Sequence, residues 1–218
     1  MLKPGTEMIL SMYCKKYPEI AAIQESLKKC TEMLTVCFQN GGKLLICGNG
    51  GSCADADHIV GELAKPFRMD RPLEAELCDC LSRQGESGIL LSQHLQAGLP
   101  AINLGAHAAL ITATANDIGG DYIYAQQVVA YGHQGDILLG ISTSGNSKNI
   151  SYAGVTAKAK GMQTVGLTGK NGGRMSRDFD LILCADAENT EDIQDLHSAI
   201  YHAVCSAVEY QCWGKTTS

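Results

Sequence analysis

The fold is decided by a stretch near the middle of the chain, Gly135–Asn149, which reads GDILLGISTSGNSKN. Its first part, Asp136–Ile141, is a short and mainly apolar run, the pattern of a strand buried on both faces of a sheet. Its second part, Ser142–Ser147, carries four hydroxyl side chains and a glycine, and a helix is predicted to follow over about 148–160. Strand, polar turn and helix in this order indicate one unit of a parallel α/β sheet.

The same alternation extends outward in both directions. Short apolar runs predict four further strands at 43–48, 100–104, 162–167 and 180–184. Further helices are predicted over about 6–40, from residue 52 to about 64, over 107–114 and over about 190–212. The sequence therefore predicts an α/β protein, a three-layer αβα sandwich with a parallel sheet of about five strands and an added N-terminal helix.

Composition excludes several classes of protein. A chain of 218 residues with 45% hydrophobic content supports one sizeable core, and a net charge of -6 leaves no basic surface for direct nucleic-acid binding. No stretch approaches the roughly 20 apolar residues that span a bilayer. Ten cysteines suggest either a disulfide framework or free thiols. The N-terminus shows no secretory apolar region, so free thiols and a cytoplasmic protein are expected.

The hydroxyl-rich turn is a candidate phosphate site. Ser142, Thr143, Ser144 and Ser147 can donate to phosphate oxygens together with the free amides of the following helix, whose dipole favours an anion. The alternative is an ordinary helix cap at Ser144 or Ser147. A cap needs one such side chain rather than four, so phosphate binding is favoured.

A second turn, at Asn49-Gly50-Gly51-Ser52, follows the first predicted strand. Its glycines let the backbone pass close to a ligand, but a plain tight turn explains them equally well. The turn matches neither the P-loop nor the dinucleotide fingerprint. Both polar turns lie at the carboxyl ends of strands, where open α/β sheets place ligands.

Two helices carry candidate chemistry. His58 and Glu62 share one helix face at i, i+4 spacing, which suits a metal ion, proton transfer or a simple surface hydrogen bond. The closing helix carries Gln194, His197 and His202. Eight residues separate Gln194 from His202, about 12 Å along a regular helix, so one ion takes both only if the helix begins after Gln194 or another subunit contributes. His197 is interpreted as a packing residue.

Taken together, these motifs resemble the SIS (sugar isomerase) domain phosphoheptose isomerases over roughly residues 20–210. The shared features come in the family's order: GNGGS at 48–52, H-x-x-x-E at 58–62, GDILLGISTSGNSKN at 135–149, LTGKNGG at 167–173 and I-Q-x-L-H-x-x-x-x-H at 193–202. The resemblance implies a SIS domain over 41–215 with an insert at about 73–99. It also implies an N-terminal helical segment, 1–40, used in oligomerisation.

The resemblance also implies roles for individual residues. Substrate and phosphate contacts are implied for Asn49, Gly50, Gly51, Ser52, Asn116, Asp117, Ser142, Thr143, Ser144, Ser147 and Gln194. One zinc ion per site is implied on His58, Glu62, Gln194 and His202, in a homotetramer with active sites at subunit interfaces. The implied reaction converts sedoheptulose 7-phosphate into D-glycero-D-manno-heptose 7-phosphate through an enediol, with Glu62 as base and His202 as acid.

The sequence departs from the family in two places, and two alternative functions stay open. The family has an arginine shortly after the glutamate, and here Arg68 or Lys65 must replace it or the contact is lost. The acidic insert at 73–99 is the second departure, and part of it, 88–97, is a candidate for one additional helix. The alternatives are an isomerase of another phosphosugar and a non-catalytic SIS module, phosphosugar-binding or associated with replication. The retained His, Glu and Gln side chains favour the enzyme.

Overall fold

The computed structural model describes residues 1–215, and its centre is one sheet of five strands. The strands are β1 (Leu44–Gly48), β2 (Ala101–Asn103), β3 (Ile137–Ser142), β4 (Gln163–Gly169) and β5 (Leu181–Ala185). They lie in the order β2-β1-β3-β4-β5, and every neighbouring pair is parallel. The predicted parallel sheet of about five strands is therefore confirmed.

Helices cover both faces of this sheet. They are α1 (Pro4–Lys16), α2 (Gln24–Gln39), α3 (Gly51–Ala64), α4 (Ala75–Ser82), α5 (Glu86–His94), α6 (Ala108–Asp117), α7 (Ile123–Tyr131), α8 (Lys148–Ala159), α9 (Met175–Asp178) and α10 (Thr190–Trp213). Alternate strand residues enter two separate cores: Leu44 and Ile46 pack with α2, α3 and α10, whereas Leu45 and Leu138 pack with α7 and α8. Because successive side chains of a strand point to opposite faces, the result is the predicted three-layer sandwich.

The continuous helix predicted over 6–40 is wrong in one respect. The chain forms α1, then a 3-10 turn at Pro18–Ile23, and only then α2. Proline cannot occupy a helix interior, because it lacks the amide donor and its ring clashes with the preceding turn, so Pro18 ends α1. Leu10, Ile20 and Leu27 are nevertheless fully buried in the same core as the sheet.

Two further regions differ from the predicted elements. The insert holds two short helices, α4 and α5, where a single additional helix over 88–97 was predicted. They pack mainly on each other and leave Leu77, Ile89 and Leu90 exposed. Helix α7 was not predicted at all.

The strand order places both polar turns together. The chain moves from β1 outward to β2 and then back past β1 to β3, so β1 and β3 are neighbours whose following helices leave in opposite senses. Ligands of open α/β sheets bind at such a reversal, outside the carboxyl ends of the strands. The turns after Gly48 and after Ser142 are the two that border it.

All ten cysteines are free thiols, as the sequence predicted. Within residues 1–215, none of the helices has the length and apolar content that crossing a membrane requires.

Candidate active site

The hydroxyl-rich turn forms a cradle between β3 and α8. Ser142 ends the strand, Ser147 precedes the helix, and their Oγ atoms lie 2.9 Å apart. Ser147 stands at the N-cap position, yet its hydroxyl pairs with Ser142 rather than with a helix amide. The Ile150 amide donates to Asn149 Oδ1, and the arrangement disfavours the capping alternative because, within the described residues, the Lys148 and Asn149 amides of the first turn of α8 remain available to an anion.

The other hydroxyls of the cradle face a groove. Thr143 and Ser144 line a cavity of about 450 Å³ together with Lys170. The turn is held by Gly145, whose φ of 63° is strained for any side chain, and an added Cβ there would lie 2.2 Å from the carbonyl oxygen of Gly172. The loop at 172–173 therefore buttresses the cradle at van der Waals distance.

The first turn is joined to the cradle by a pair of amides. Asn49 Nδ2 donates to Asn149 Oδ1 at 3.0 Å, and Asn149 Nδ2 donates back to Asn49 Oδ1 at 2.9 Å. Gly50 has a φ of 56° at the start of α3, and Ser52 is buried one residue inside the helix. Sequence reasoning missed Asn149, although it lies directly beyond the hydroxyl-rich turn.

The centre of the candidate chemistry is a cluster of three side chains. His58 Nε2 lies 3.1 Å from Glu62 Oε1 on α3 and 3.3 Å from Nε2 of His202 on α10. The ligating atoms of all three residues lie within 4.8 Å of one another, so the cluster can hold a metal ion. The i, i+4 pair was predicted from spacing, and the packing of α10 on α3 adds His202.

Burial and neighbouring side chains change the acid–base properties of this cluster. Phe67 stacks on the ring of His202 with centroids 5.6 Å apart. Burial, assisted by the nearby His58, lowers the pKa of His202. The second carboxylate oxygen of Glu62, Oε2, is buried and has no hydrogen-bond partner in the described part of the chain. A buried carboxylate oxygen without a partner is costly, and a bound cation or proton would satisfy it.

Gln194 lies apart from the three. An added Cβ on Gly51 would lie 2.6 Å from Gln194 Nε2, so this amide packs on the first turn of α3, whereas His202 packs two turns further along. Helix α10 begins at Thr190, which removes one of the two ways in which Gln194 and His202 would share an ion. His197 is fully buried between α10 and the sheet, in keeping with its interpretation as a packing residue.

The Asn116–Asp117 pair lies at the end of α6, where both residues are exposed. Asn116 Nδ2 donates to Asp117 Oδ1 at 2.9 Å. Across residues 1–215, no hydrogen bond connects this pair to either polar turn. Its predicted contact with sugar hydroxyls stays a prediction.

The structure holds a third basic residue after Glu62, Arg71, besides the two considered as replacements for the family's arginine. Arg71 is fully buried and donates to the main-chain oxygens of Leu63 and Glu62, at 2.6 and 2.8 Å. It also pairs with the buried carboxylate of Glu209 on α10 at 2.7 Å. Lys65 is exposed and donates to the adjacent Pro66 oxygen. The main-chain amide of Arg68 donates to Glu209, and the replacement by Arg68 or Lys65 stays a prediction.

A hydroxyl-rich turn at the end of β3 on a five-stranded parallel sheet defines an α/β domain with a site suited to an anion. A family model described as the SIS domain matches residues 18–96 and 93–169. The sequence is 39% identical over 190 residues to a phosphoheptose isomerase of Burkholderia pseudomallei, covering 87% of this chain and 84% of that one.

Two solved structures of phosphoheptose isomerases are also similar to this chain. The fold matches a phosphoheptose isomerase from Neisseria gonorrhoeae with a TM-score of 0.69 and 30% identity, over 93% of this chain and 92% of that one. It also matches one from Francisella tularensis with a TM-score of 0.70 and 33% identity, over 84% and 85%. The chain therefore belongs to the phosphoheptose isomerase family of SIS-domain proteins.

Proposed function

We propose that this protein is an isomerase that interconverts sedoheptulose 7-phosphate and D-glycero-D-manno-heptose 7-phosphate. The observation that carries the proposal is the joining of His58, Glu62 and His202 within 4.8 Å on a chain that also holds a hydroxyl-rich anion cradle. The relatives are named phosphoheptose isomerases, which supports this substrate. A binding module would need the cradle but not a proton-handling cluster.

The cradle is proposed to hold the sugar phosphate. Ser142, Thr143, Ser144 and Ser147 provide hydroxyl donors, and the first-turn amides and dipole of α8 favour the anion. Hydrogen bonds to a charged group contribute about 1.5–3 kcal/mol each, so a neutral cradle can bind a phosphate without a lysine. Asn49, Gly50, Gly51 and Ser52 are proposed to contact the rest of the ligand, with Asn116, Asp117 and Gln194 near the sugar hydroxyls.

The proposed reaction is a proton transfer without net oxidation. The Glu62 carboxylate takes a proton from C1 of the ketose, the C1–C2 double bond forms, and His202 protonates the O2 oxygen to give an enediol. Returning a proton to C2 while O1 loses its proton leaves an aldehyde at C1. Burial lowers the pKa of His202, which makes its protonated ring a stronger acid, and a ring N–H of His202 is proposed to give the proton to O2. Each group is expected to contribute about 10²–10⁴-fold.

One zinc ion per site is proposed on His58, Glu62 and His202, with Gln194 as a fourth ligand. Imidazole nitrogen and carboxylate oxygen are ligands that zinc accepts, and the unpartnered Glu62 Oε2 suits a cation. When bound, zinc would supply Lewis-acid polarisation of the sugar carbonyl. A Glu62 carboxylate that binds zinc is a weaker base, so this residue's two roles compete.

A homotetramer with active sites at subunit interfaces is proposed from the distance between the His58 cluster and the phosphate cradle of one chain. Gly51 and His58 are seven residues apart on α3, about 10 Å along a regular helix, so the cluster of one chain lies away from its own cradle. A second subunit that brings its cradle and its Gln194 toward the cluster would close the gap. The ten free thiols support a reducing, cytoplasmic setting.

The test is turnover of sedoheptulose 7-phosphate by the purified chain, with and without zinc, for the wild type and Glu62→Gln. We expect turnover by the wild type and a loss of 10²-fold or more in the variant, with the oligomer intact by size-exclusion chromatography. Glu86→Gln, an exposed carboxylate of the insert, is the matched control and should keep full activity. If the chain turns over only another phosphosugar, the proposed substrate is wrong. If a folded oligomer turns over no phosphosugar, the result supports a binding module.

A further inference from the structure

The insert between α3 and β2 forms a helical hairpin, residues 74–95, that is held to the domain at its base. The Ala97 amide donates to the main-chain oxygen of Arg71 at 2.8 Å and closes that base. Among the described residues, no side chain of α4 is buried, and α5 buries only Gly88. The two helices have eight and nine residues, fewer than the roughly 12–15 at which an isolated helix becomes marginally stable in water. The hairpin therefore needs a further surface to pack against.

The surface of the hairpin is apolar and acidic. Its large apolar side chains are 44–55% exposed: Leu77, Ile89, Leu90, Leu91 and Leu95. Its charged side chains are four carboxylates and one guanidinium: Glu74, Glu76, Asp79, Glu86 and Arg83. Within residues 1–215, none of these charges takes part in an ion pair. Because clustered exposed apolar side chains mark binding surfaces, the hairpin has the composition of an interface with an excess of negative charge.

A groove of matching character lies between α1, α10 and the segment that follows α3. Its volume is about 630 Å³. Ile9, Met12 and Met69 line it with apolar side chains, and Lys16 and Arg68 line it with positive charge. Neither cation has a carboxylate partner in the part of the chain that the structure describes. The groove thus offers apolar walls and two unpaired cations to a ligand that is apolar and acidic.

One buried ion pair links the groove to the base of the hairpin. Glu209 lines the groove, but its carboxylate is paired with Arg71 at 2.7 Å, so it does not neutralise Lys16 and Arg68. Arg71 is also the residue whose oxygen closes the hairpin base. Because hairpin and groove share this root, a two-fold axis close to it would bring the hairpin of each copy to the groove of the other. Such an exchange is self-complementary and closes on itself.

We propose that the hairpin docks into this groove on a second copy of the chain, so that each copy gives one hairpin and receives one. The apolar side chains of the hairpin cover the apolar walls, and its carboxylates meet Lys16 and Arg68. Helices that dock in this way combine apolar anchors with charge complementarity, which selects the partner and the register. The occupant is a second copy because this chain carries both halves of the interface. The inference goes beyond the proposed isomerase function and does not depend on it.

The experiment reverses the charges of the two surfaces in separate full-length chains. The groove variant carries Lys16→Glu and Arg68→Glu, and the hairpin variant carries Glu76→Lys and Asp79→Lys. Lys15→Glu is the matched control, because Lys15 is exposed beside Lys16 on α1 but does not line the groove. Hydrogen–deuterium exchange of the hairpin amides, followed by mass spectrometry, reports docking. Sedimentation velocity reports the mass of each species. The hairpin peptides of the two variants differ in sequence, so a mixture can be analysed for each hairpin separately.

We expect protected hairpin amides in the wild type and in Lys15→Glu, and exchange that is faster by about tenfold or more in each reversed variant alone. Mixing the two variants brings each reversed surface to its complement, so the unmodified hairpin of the groove variant should regain protection and a complex of the two variants should sediment.

Three results overturn the proposal. Wild-type protection in the groove variant alone would mean that the groove does not hold the hairpin. No regained protection on mixing would place the hairpin on its own chain. An unprotected hairpin in the purified wild type would mean that a second copy does not cover it. Neither measurement uses sugar-phosphate turnover, so the failure of this inference and the failure of the proposed function are distinguishable.

Discussion

Arg71 and Glu209 form an ion pair of 2.7 Å in which both side chains are fully buried. The pair joins the segment after α3 to the closing helix, since Arg71 also binds the Glu62 and Leu63 oxygens. Glu209 in turn accepts from the amides of Phe67 and Arg68 at 2.8 and 2.9 Å. The contacts thus fix the end of the helix that carries Glu62 against the helix that carries His202.

Removing one partner of this pair is expected to be costly. Arg71→Met leaves the Glu209 carboxylate buried without its positive partner, so we expect the free energy of unfolding to fall by about 3–5 kcal/mol. The measurement is urea unfolding followed by circular dichroism. Lys148→Met is the matched control, because Lys148 pairs with Asp121 at 2.6 Å in the open. Lys148→Met should leave the urea midpoint of unfolding unchanged. Equal midpoints for Arg71→Met and Lys148→Met would contradict a structural role for Arg71.

A second prediction concerns the glycine that holds the phosphate cradle. Gly145→Ala places a Cβ 2.2 Å from the Gly172 oxygen on a backbone with a φ of 63°, so the cradle must distort. We expect the KM for sugar phosphate to rise at least tenfold and the melting temperature to fall. Gly61→Ala is the control: no atom lies within 4 Å of the added Cβ in the described structure. Because alanine favours helices, Gly61→Ala should add up to about 1 kcal/mol of stability.

In Gly145→Ala, an unchanged KM with lowered stability would mean that the turn is structural and that the phosphate binds elsewhere. An unchanged KM and an unchanged melting temperature would mean that the 172–173 loop yields easily and does not brace the cradle.

A third prediction concerns pH and the buried His197. Burial lowers the pKa of His197 to about 4, whereas the unfolded chain has a histidine pKa near 6.5. Between these values the unfolded state binds a proton that the folded state does not, so stability rises with pH and is lost on acidification. Going from pH 7 to pH 5 is expected to cost about 2 kcal/mol through this residue.

The measurement is denaturant unfolding across pH 4–8 for the wild type, His197→Leu and His94→Gln. The loss on acidification should shrink by that amount in His197→Leu, which removes the titrating group. His94, exposed in the insert, should behave as the wild type when replaced. A pH dependence that persists unchanged in His197→Leu would assign the acid sensitivity to other groups.

Local pattern predicted the elements that carry the site with good accuracy. The strand expected over 136–141 is β3 at Ile137–Ser142, and the helix expected over 148–160 is α8 at Lys148–Ala159. Periodicity reports the environment of each side chain within a few residues, which is sufficient for strands buried on both faces. It was too coarse at Pro18 and in the insert, where short helices meet without a regular apolar stripe.

The amino-acid sequence therefore determined the order of strands and helices, the two polar turns and the i, i+4 pair of His58 and Glu62, because all of these depend on neighbours along the chain. The family resemblance implied that His202 joins this pair, and the packing of α10 on α3 determined how it does so and which further residues meet there. His202 and Tyr201 reach His58 across more than 140 residues, and Glu209 reaches Arg71 across 138. Contacts of that separation arise from how helices settle on a shared core, and no local periodicity encodes them.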